Sequence, residues 1–328
     1  MKRSGWSAAL LVAVGSACLA SGGPASANDA TAQIGAGGLE LVYNPAIELR
    51  SEDLYVSAEE VRVRYQFRNI TAEPVTVTVA FPLPALDAGE VGDLLMVAMP
   101  RPGDPNFVGF ELTVDGKPLT PEVYTRVSAL GIDRTQMLVD AGVPLNPADE
   151  ATYNALGALP AETIEAFRKA GLLLVEDWGL LPVWRLETAF HWEQTFPAGR
   201  DVIIEHRYAP VVGYGFFGDY TLEDPEYRER YCMDADFERA ARALLARNAE
   251  AFPNLNERRI QYILTTARNW ASPIQQFRLT VDKGSPDALV SFCGNGVTRT
   301  GDTTFEDTET DFVPERELDI LIISPVTP

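Results

Sequence analysis

Hydrophobic and polar residues alternate along much of this chain, most clearly between Val61 and Pro84. Val61, Val63, Tyr65 and Phe67 are separated by charged or polar residues. After Asn69-Ile70-Thr71-Ala72-Glu73-Pro74, the alternation resumes with Val75, Val77, Val79 and Phe81. A period of two puts each apolar set on one face, so the stretch predicts a half-buried antiparallel hairpin. Pro82 and Pro84 lack an amide hydrogen for a ladder and end its second strand. Leu39 to Leu49 supplies an opening strand with a bend at Pro45. Val108, Phe110, Leu112 and Val114 lead into Asp115-Gly116, a tight-turn pair. A second hairpin is expected from Leu186, Thr188, Phe190 and Trp192, followed after Pro197-Ala198-Gly199 by Val202, Ile204, His206 and Tyr208. Strands close the chain at Phe277 to Val281, Ala288 to Cys293 and Leu318 to Ile323. The last is apolar at nearly every position, as in a strand buried on both faces.

A different pattern fills the intervals. Residues 118–182 read as a helical insertion, with helices from Thr120 or Pro121 toward Ala129, from Ile132 to Ala141, from Asn146-Pro147 to Gly157, and from Pro160 to Ala170. Phe237, Ala241, Leu244, Leu245 and Phe252 share one helical face, and Asn256 opens a further helix toward Trp270. Gly213 to Tyr220, with three glycines and four aromatics, reads as a flexible aromatic loop.

The N-terminus changes what counts as the mature chain. Lys2 and Arg3 precede an apolar run from Ala8 to Ala20, and Ala25-Ser26-Ala27 is a small-residue cleavage site. Residues 1–27 therefore read as a signal peptide, and 28–38 as a flexible leader. Cys18 raises lipid attachment as an alternative, although Gly15 stands where a lipobox has Leu. No later run is long enough to span a bilayer as a helix. Cleavage moves the formal charge from −20 to −22, because both lost charges are basic. Such a surface repels nucleic acid and anionic lipid, so neither is an expected partner. The two remaining cysteines, Cys232 and Cys293, are expected to pair in an exported protein.

Several of these residues carry a resemblance. The strand ending at Asn69, the Pro-Val turn, Phe81-Pro82-Leu83-Pro84 and Val114-Asp115-Gly116-Lys117 resemble the VIT domain, the β-sandwich of vault proteins and inter-alpha-trypsin inhibitor heavy chains. The order of those motifs, His191-Trp192-Glu193-Gln194, Tyr231-Cys232, Tyr262-Ile263-Leu264, Asn269-Trp270 and Asp311-Phe312 resembles the exported bacterial domain-of-unknown-function 4424 family. The resemblance implies export and this overall organisation, and assigns no catalytic residue. The Asp-x-Ser-x-Ser metal motif of the von Willebrand A domains that often follow VIT domains does not occur in the sequence.

The expected fold is mainly β with helical insertions (α+β): an antiparallel VIT-like sandwich over 39–212, interrupted at 118–182, and a C-terminal helix-and-strand part over 213–328. Candidate chemistry is sparse. His191 shares a strand face with Glu187 and Glu193, which makes a small His/carboxylate metal site one reading, although the spacing is not a zinc signature. His206 falls on an apolar face and reads as a hydrogen-bonded core histidine. The acids Asp302, Glu306, Asp307, Glu309 and Asp311 lack the order of an EF-hand and read as a solvated edge. Nucleophile elbows, phosphate loops and dinucleotide fingerprints are absent from the sequence. Tyr214, Phe216, Phe217 and Tyr220 are the candidate ligand or partner residues, since loop aromatics stack on sugars or anchor proteins. The reading is a periplasmic or secreted, non-catalytic binding or envelope-interaction protein without a cofactor, its partner an envelope protein or a glycan. The alternatives are a glycan-active hydrolase using Glu187, Glu193 or Glu205, and a structural assembly factor.

Overall fold

A computed structural model describes residues 29–35, 38–88, 96–177, 179–249 and 255–326. The fold is mainly β. In chain order the long strands are β1 (Ala30–Gly35), β2 (Ile47–Val56), β3 (Val61–Asn69) and β4 (Val75–Pro82), then β5 (Glu122–Ala129), β6 (Arg185–Phe196), β7 (Asp201–Tyr208) and β8 (Val212–Phe217). The last four are β9 (Leu255–Tyr262), β10 (Ile274–Asp282), β11 (Thr304–Phe312) and β12 (Leu318–Pro325).

The alternation in 61–82 makes two strands, but they do not pair with each other. β3 lies between β2 and β7, whereas β4 lies between β6 and β1 in a different sheet. The expected second hairpin is likewise split, with β6 in the sheet of β4 and β7 in that of β3. Both links therefore step across the core as arches. A hairpin and an arch demand the same alternation, because each strand turns one apolar face inward in either case. The side chain of Asn69 holds the first arch closed, donating to the carbonyls of Glu73 and Phe196 at 2.8 Å each.

The two sheets face each other as a sandwich. Phe67 meets Phe196 edge-on at 5.8 Å, and Phe110 stacks on Phe190 at 4.2 Å. Asp115 and Gly116 both adopt positive φ, 49° and 73°, as the tight turn between the short strands Glu111–Val114 and Lys117–Leu119 requires. The sandwich is completed from far along the chain. β10 joins the second sheet parallel to β2, and β11 pairs outside β10.

A third sheet, built on β12, β9 and β8, packs one face on the sandwich and the other on helices. Leu318, Ile320 and Ile322 enter the sandwich core, while Leu321 and Ile323 enter the helical one. That is the two-sided burial expected of the last apolar run. The helices on that side are α4 (Asp219–Glu223), α5 (Pro225–Arg230) and α6 (Ala235–Arg247), the last capped by Asp234 accepting from the Phe237 amide at 2.7 Å.

Three expectations fail here. The supposed leader is strand β1, whose Ala30 is fully buried and pairs with Ala80, so it extends the sheet of β4. Residues 122–129 form β5 rather than a helix, so among the described residues of the insertion only Thr135–Asp140, Glu150–Gly157 and Ala161–Lys169 are helical. Asn256 sits inside β9, where pairing with β12 overrides its helical pattern.

Candidate functional site

A cleft of about 340 Å³ opens where the sandwich meets the third sheet. Its walls come from the segment after β4, the β7–β8 junction, the end of α5, and the facing strands β9 and β12. Leu83, Phe107, Val108 and Ile260 provide an apolar floor. Three arginines reach it from separate elements: Arg185 from the start of β6, Arg230 from the last position of α5, and Arg259 from β9.

Each guanidinium is oriented by the surrounding chain. Arg185 lies 3.3 Å from Glu187 and 3.6 Å from Asp87. Arg230 donates from Nε and Nη2 to Asp319 Oδ1 at 3.0 and 2.8 Å. Arg259 donates from Nη2 to the Tyr214 carbonyl at 3.1 Å and lies 3.5 Å from Glu257. The helix carrying Arg230 starts at Pro225, with Asp224 accepting from the amides of Glu226 and Tyr227. Arg316 fixes its far end, donating to the carbonyls of Glu229 and Arg230 at 3.2 Å. The expected disulfide is present: Cys232, two residues past Arg230, is bonded to Cys293.

Two phenols complete the cleft. Tyr208 and Tyr231 line it with relative exposures of 5% and 1%. Among the described residues neither hydroxyl has a hydrogen-bond partner. Burial is the main cause that pushes the Tyr231 phenol up to about 12, so it stays protonated at neutral pH and is able to donate.

The aromatic candidates are placed differently from the expectation. Gly213 to Phe217 is not a loop but the ladder strand β8, paired with β9. Phe217, expected to face a ligand or partner, is instead 2% exposed in the helical core against Phe237. Tyr214 and Phe216 are exposed on the strand's other face at 39% and 51%. Tyr220 lies on α4, its hydroxyl donating to the Phe216 carbonyl. The glycines supply space rather than flexibility: a Cβ on Gly215 would collide with Glu257 Oε1, and one on Gly213 would press on Arg259.

The proposed metal ligands do not assemble. Glu187 is engaged by Arg126 and Arg185, and His191 lies 3.9 Å from Glu122 across the strand pair. Among the described residues no group of three His, Cys, Asp or Glu side chains is placed to hold a metal ion. The hydrolase reading loses its geometry as well. Glu187 and Glu193 are on the outer face of one sandwich sheet, whereas Glu205 pairs with Arg64 on the outer face of the other. His206 is buried as expected, but in place of a hydrogen bond it has Asp29 Oδ1 at 3.5 Å from Nε2. Asp307 accepts the amides of Asn295 and Gly296, so part of the acidic edge braces a turn.

Sequence reasoning missed all three cleft arginines. They are 45 and 29 residues apart in order, and only Arg230-Tyr231, next to a predicted disulfide, carried a hint.

Fold and cleft together define a mainly-β protein with a ligand-sized, arginine-lined cleft at the junction of a sandwich and a third sheet. A sequence profile described as a domain of unknown function, DUF4424, matches residues 27–321, and the chain belongs to that family. Among solved structures, the chain is similar to a "putative nutrient binding protein" from Legionella pneumophila subsp. pneumophila str. Philadelphia 1, at 15% identity and a TM-score of 0.45, over 91% of this chain and 70% of that one. No curated protein matches. Among the described residues no helix is long and apolar enough to cross a membrane.

Proposed function

We propose that the chain is a non-catalytic binding protein of the bacterial envelope, exported by an N-terminal signal peptide over residues 1–27, which holds a small polar ligand in the cleft. The observation that carries this reading is the convergence of Arg185, Arg230 and Arg259 on one concave site in a chain of formal charge −20. Clefts of a few hundred Å³ with an apolar floor and a few fixed polar groups are where small molecules bind. The disulfide fits an oxidising compartment. Acids at the cleft face guanidiniums, an arrangement that orients donors rather than freeing a carboxylate for acid–base chemistry.

The test is native mass spectrometry of the mature protein after incubation with a small-molecule extract, beside Ala85→Trp, which fills the cleft from a half-buried position. A retained small molecule that Ala85→Trp abolishes is the expected result. An adduct that survives in the folded variant, or none in either sample, overturns the cleft as the binding site. A second reading, a protein or glycan partner on exposed Tyr214, Phe216 and Tyr220, has its own arm. Phe216→Ala with Tyr220→Ala should then remove a macromolecular partner in pull-downs and leave the small molecule in place.

A further inference from the structure

We infer that a second pocket, under the loop from Pro102 to Phe107, receives a small amino alcohol, its ammonium group held by Asp104 and Asp149 and its hydroxyl by Thr188. The inference goes beyond the cleft reading and stands independently of it. The pocket holds about 210 Å³ and lies between that loop, the segment from Pro144 to Asp149, and the strand pair β5–β6. Phe107 separates it from the cleft and lines both. Pro102, Pro144, Leu145 and Leu186 give it apolar walls. Asp104 and Asp149 are its only charged lining residues among those described. Each spends one oxygen on a backbone amide: Asp104 Oδ1 accepts from Asn106 and Asp149 Oδ1 from Ala151. Neither carboxylate has a salt-bridge partner among the described residues, so Oδ2 of each is open to a cation. Gly103 has no side chain to cover that oxygen of Asp149, which stands 3.6 Å from where a Cβ would sit.

Two acids at a rim alone would be a solvated edge, and the floor is the stronger observation. Thr125 and Thr188 are cross-strand neighbours on β5 and β6, and both line the pocket. Thr188 shares its strand face with Leu186, another lining residue, so its side chain turns toward the pocket. It is 4% exposed, and its Oγ1 is a buried atom with no hydrogen-bond partner among the described residues. A polar group taken out of water without a partner costs stability, and Val would fill the same space without that cost. A ligand hydroxyl would satisfy it, since each hydroxyl both donates and accepts. That end of the ligand must be neutral, because the floor offers no counter-charge. The rim end must be positive, to answer two carboxylates in a chain of formal charge −20 that draws cations toward it. A hard metal ion would need more oxygens than this pocket supplies.

Saturation-transfer NMR titrations of the mature protein test this with aminobutanol, its ammonium and hydroxyl at opposite ends, at one ionic strength. The controls are butylamine, butanediol, hydroxybutyrate and calcium chloride. Aminobutanol should bind, and butylamine and butanediol should each bind about fivefold more weakly, for want of the hydroxyl or the charge. Asp104→Asn with Asp149→Asn, which keeps both amide-accepting oxygens, should weaken aminobutanol about fivefold. Thr188→Val should bring aminobutanol down to the level of butylamine without lowering the urea midpoint. Gly103→Trp, at an exposed glycine outside the left-handed region, should abolish binding, and Ala85→Trp in the cleft should leave it unchanged. Equal binding of butanediol, or binding of hydroxybutyrate or calcium in place of aminobutanol, overturns the ammonium. Aminobutanol that binds but ignores Thr188→Val and the paired Asn variant overturns the site, as does no binding by any probe. In the extract experiment, an adduct removed by Gly103→Trp and kept by Ala85→Trp belongs to this pocket, so the two readings fail separately.

Discussion

Asp29 and His206 lie 3.5 Å apart with no solvent exposure, ringed by Tyr65, Phe81, Phe110 and Trp192. Arg230 and Asp319 are closer, at 2.8 Å, but the guanidinium is half exposed. Both pairs are polar groups among aromatics, and a search for unusual chemistry would stop first at the buried one. Both side chains of the core pair are shut off from solvent among the described residues, and a low-dielectric interior leaves the pair one stable option, to be neutral overall. Arg230 can change partners at little cost because water already shares its charge. Access separates a binding group from a structural one, and rarity does not.

The tether at the cleft gives the largest expected effect. Replacing Cys232 and Cys293 with Ser opens a link of sequence separation 61. It should cost about 4 kcal/mol in urea unfolding by the chain-entropy estimate. Because Arg230 and Tyr231 directly precede Cys232, retention of a small molecule in the cleft should fall in the folded variant as well. Unchanged retention would mean that Arg316 alone positions the helix end.

Next comes the proton balance of the core pair. Burial, then the charge of Glu52, holds the Asp29 carboxyl well above its ordinary range, and burial drives His206 down to about 3. The directions of these shifts lead to the prediction that the folded pair keeps one proton, on the Asp29 carboxyl, above the pH at which an exposed aspartate loses it. Unfolded, it also holds one between about 3.9 and 6.5, but none above that window. Folding above about pH 6.5 takes up a proton, so stability falls with rising pH by up to about 1.4 kcal/mol per unit. Below about 3.9 the unfolded pair holds two, and stability falls in the other direction. Urea midpoints between roughly pH 6 and 8 should drop for the wild type and drop less for Asp29→Asn. Equal slopes would show that the proton resides elsewhere.

The smallest effect should be Arg230→Gln on stability, below about 1 kcal/mol as for other exposed pairs, beside a loss of small-molecule retention in the cleft. A loss well above that figure would make Arg230 a structural residue and blur the contrast with the core.

Local signals in the sequence were sound where one element sufficed. The helix ending at Gly157, the helix over Ala235–Arg247, the Asp115-Gly116 turn and the doubly buried β12 all follow from nearby residues, although Asp149 caps the first helix in place of the expected Asn146. What failed depended on neighbours distant in the chain. Alternation shows which face of β3 and β4 is buried, but not whether the partner face belongs to the same sheet. Val123, Thr125 and Val127 alternate with β-branched side chains, a strand signal in β5 outweighed by the helical stretches that follow it. Glycines in β8 read as hinges because Glu257 and Arg259, whose bulk they accommodate, are more than 40 residues away. The cleft was invisible for the same reason, since no short window contains two of its arginines.

The parallel seat of β10 against β2 also sets a timetable. A chain threaded through a membrane from its N-terminus delivers β2 and β3 long before residue 274. Until then β2 has an open side, and the sheet it belongs to is unfinished. Closing that contact means bringing together segments more than 200 residues apart, a slow step for any chain. On the export proposed above, the chain would stay unfolded through most of its passage, and the late arrival of β10 and β12 would mark the moment it can fold.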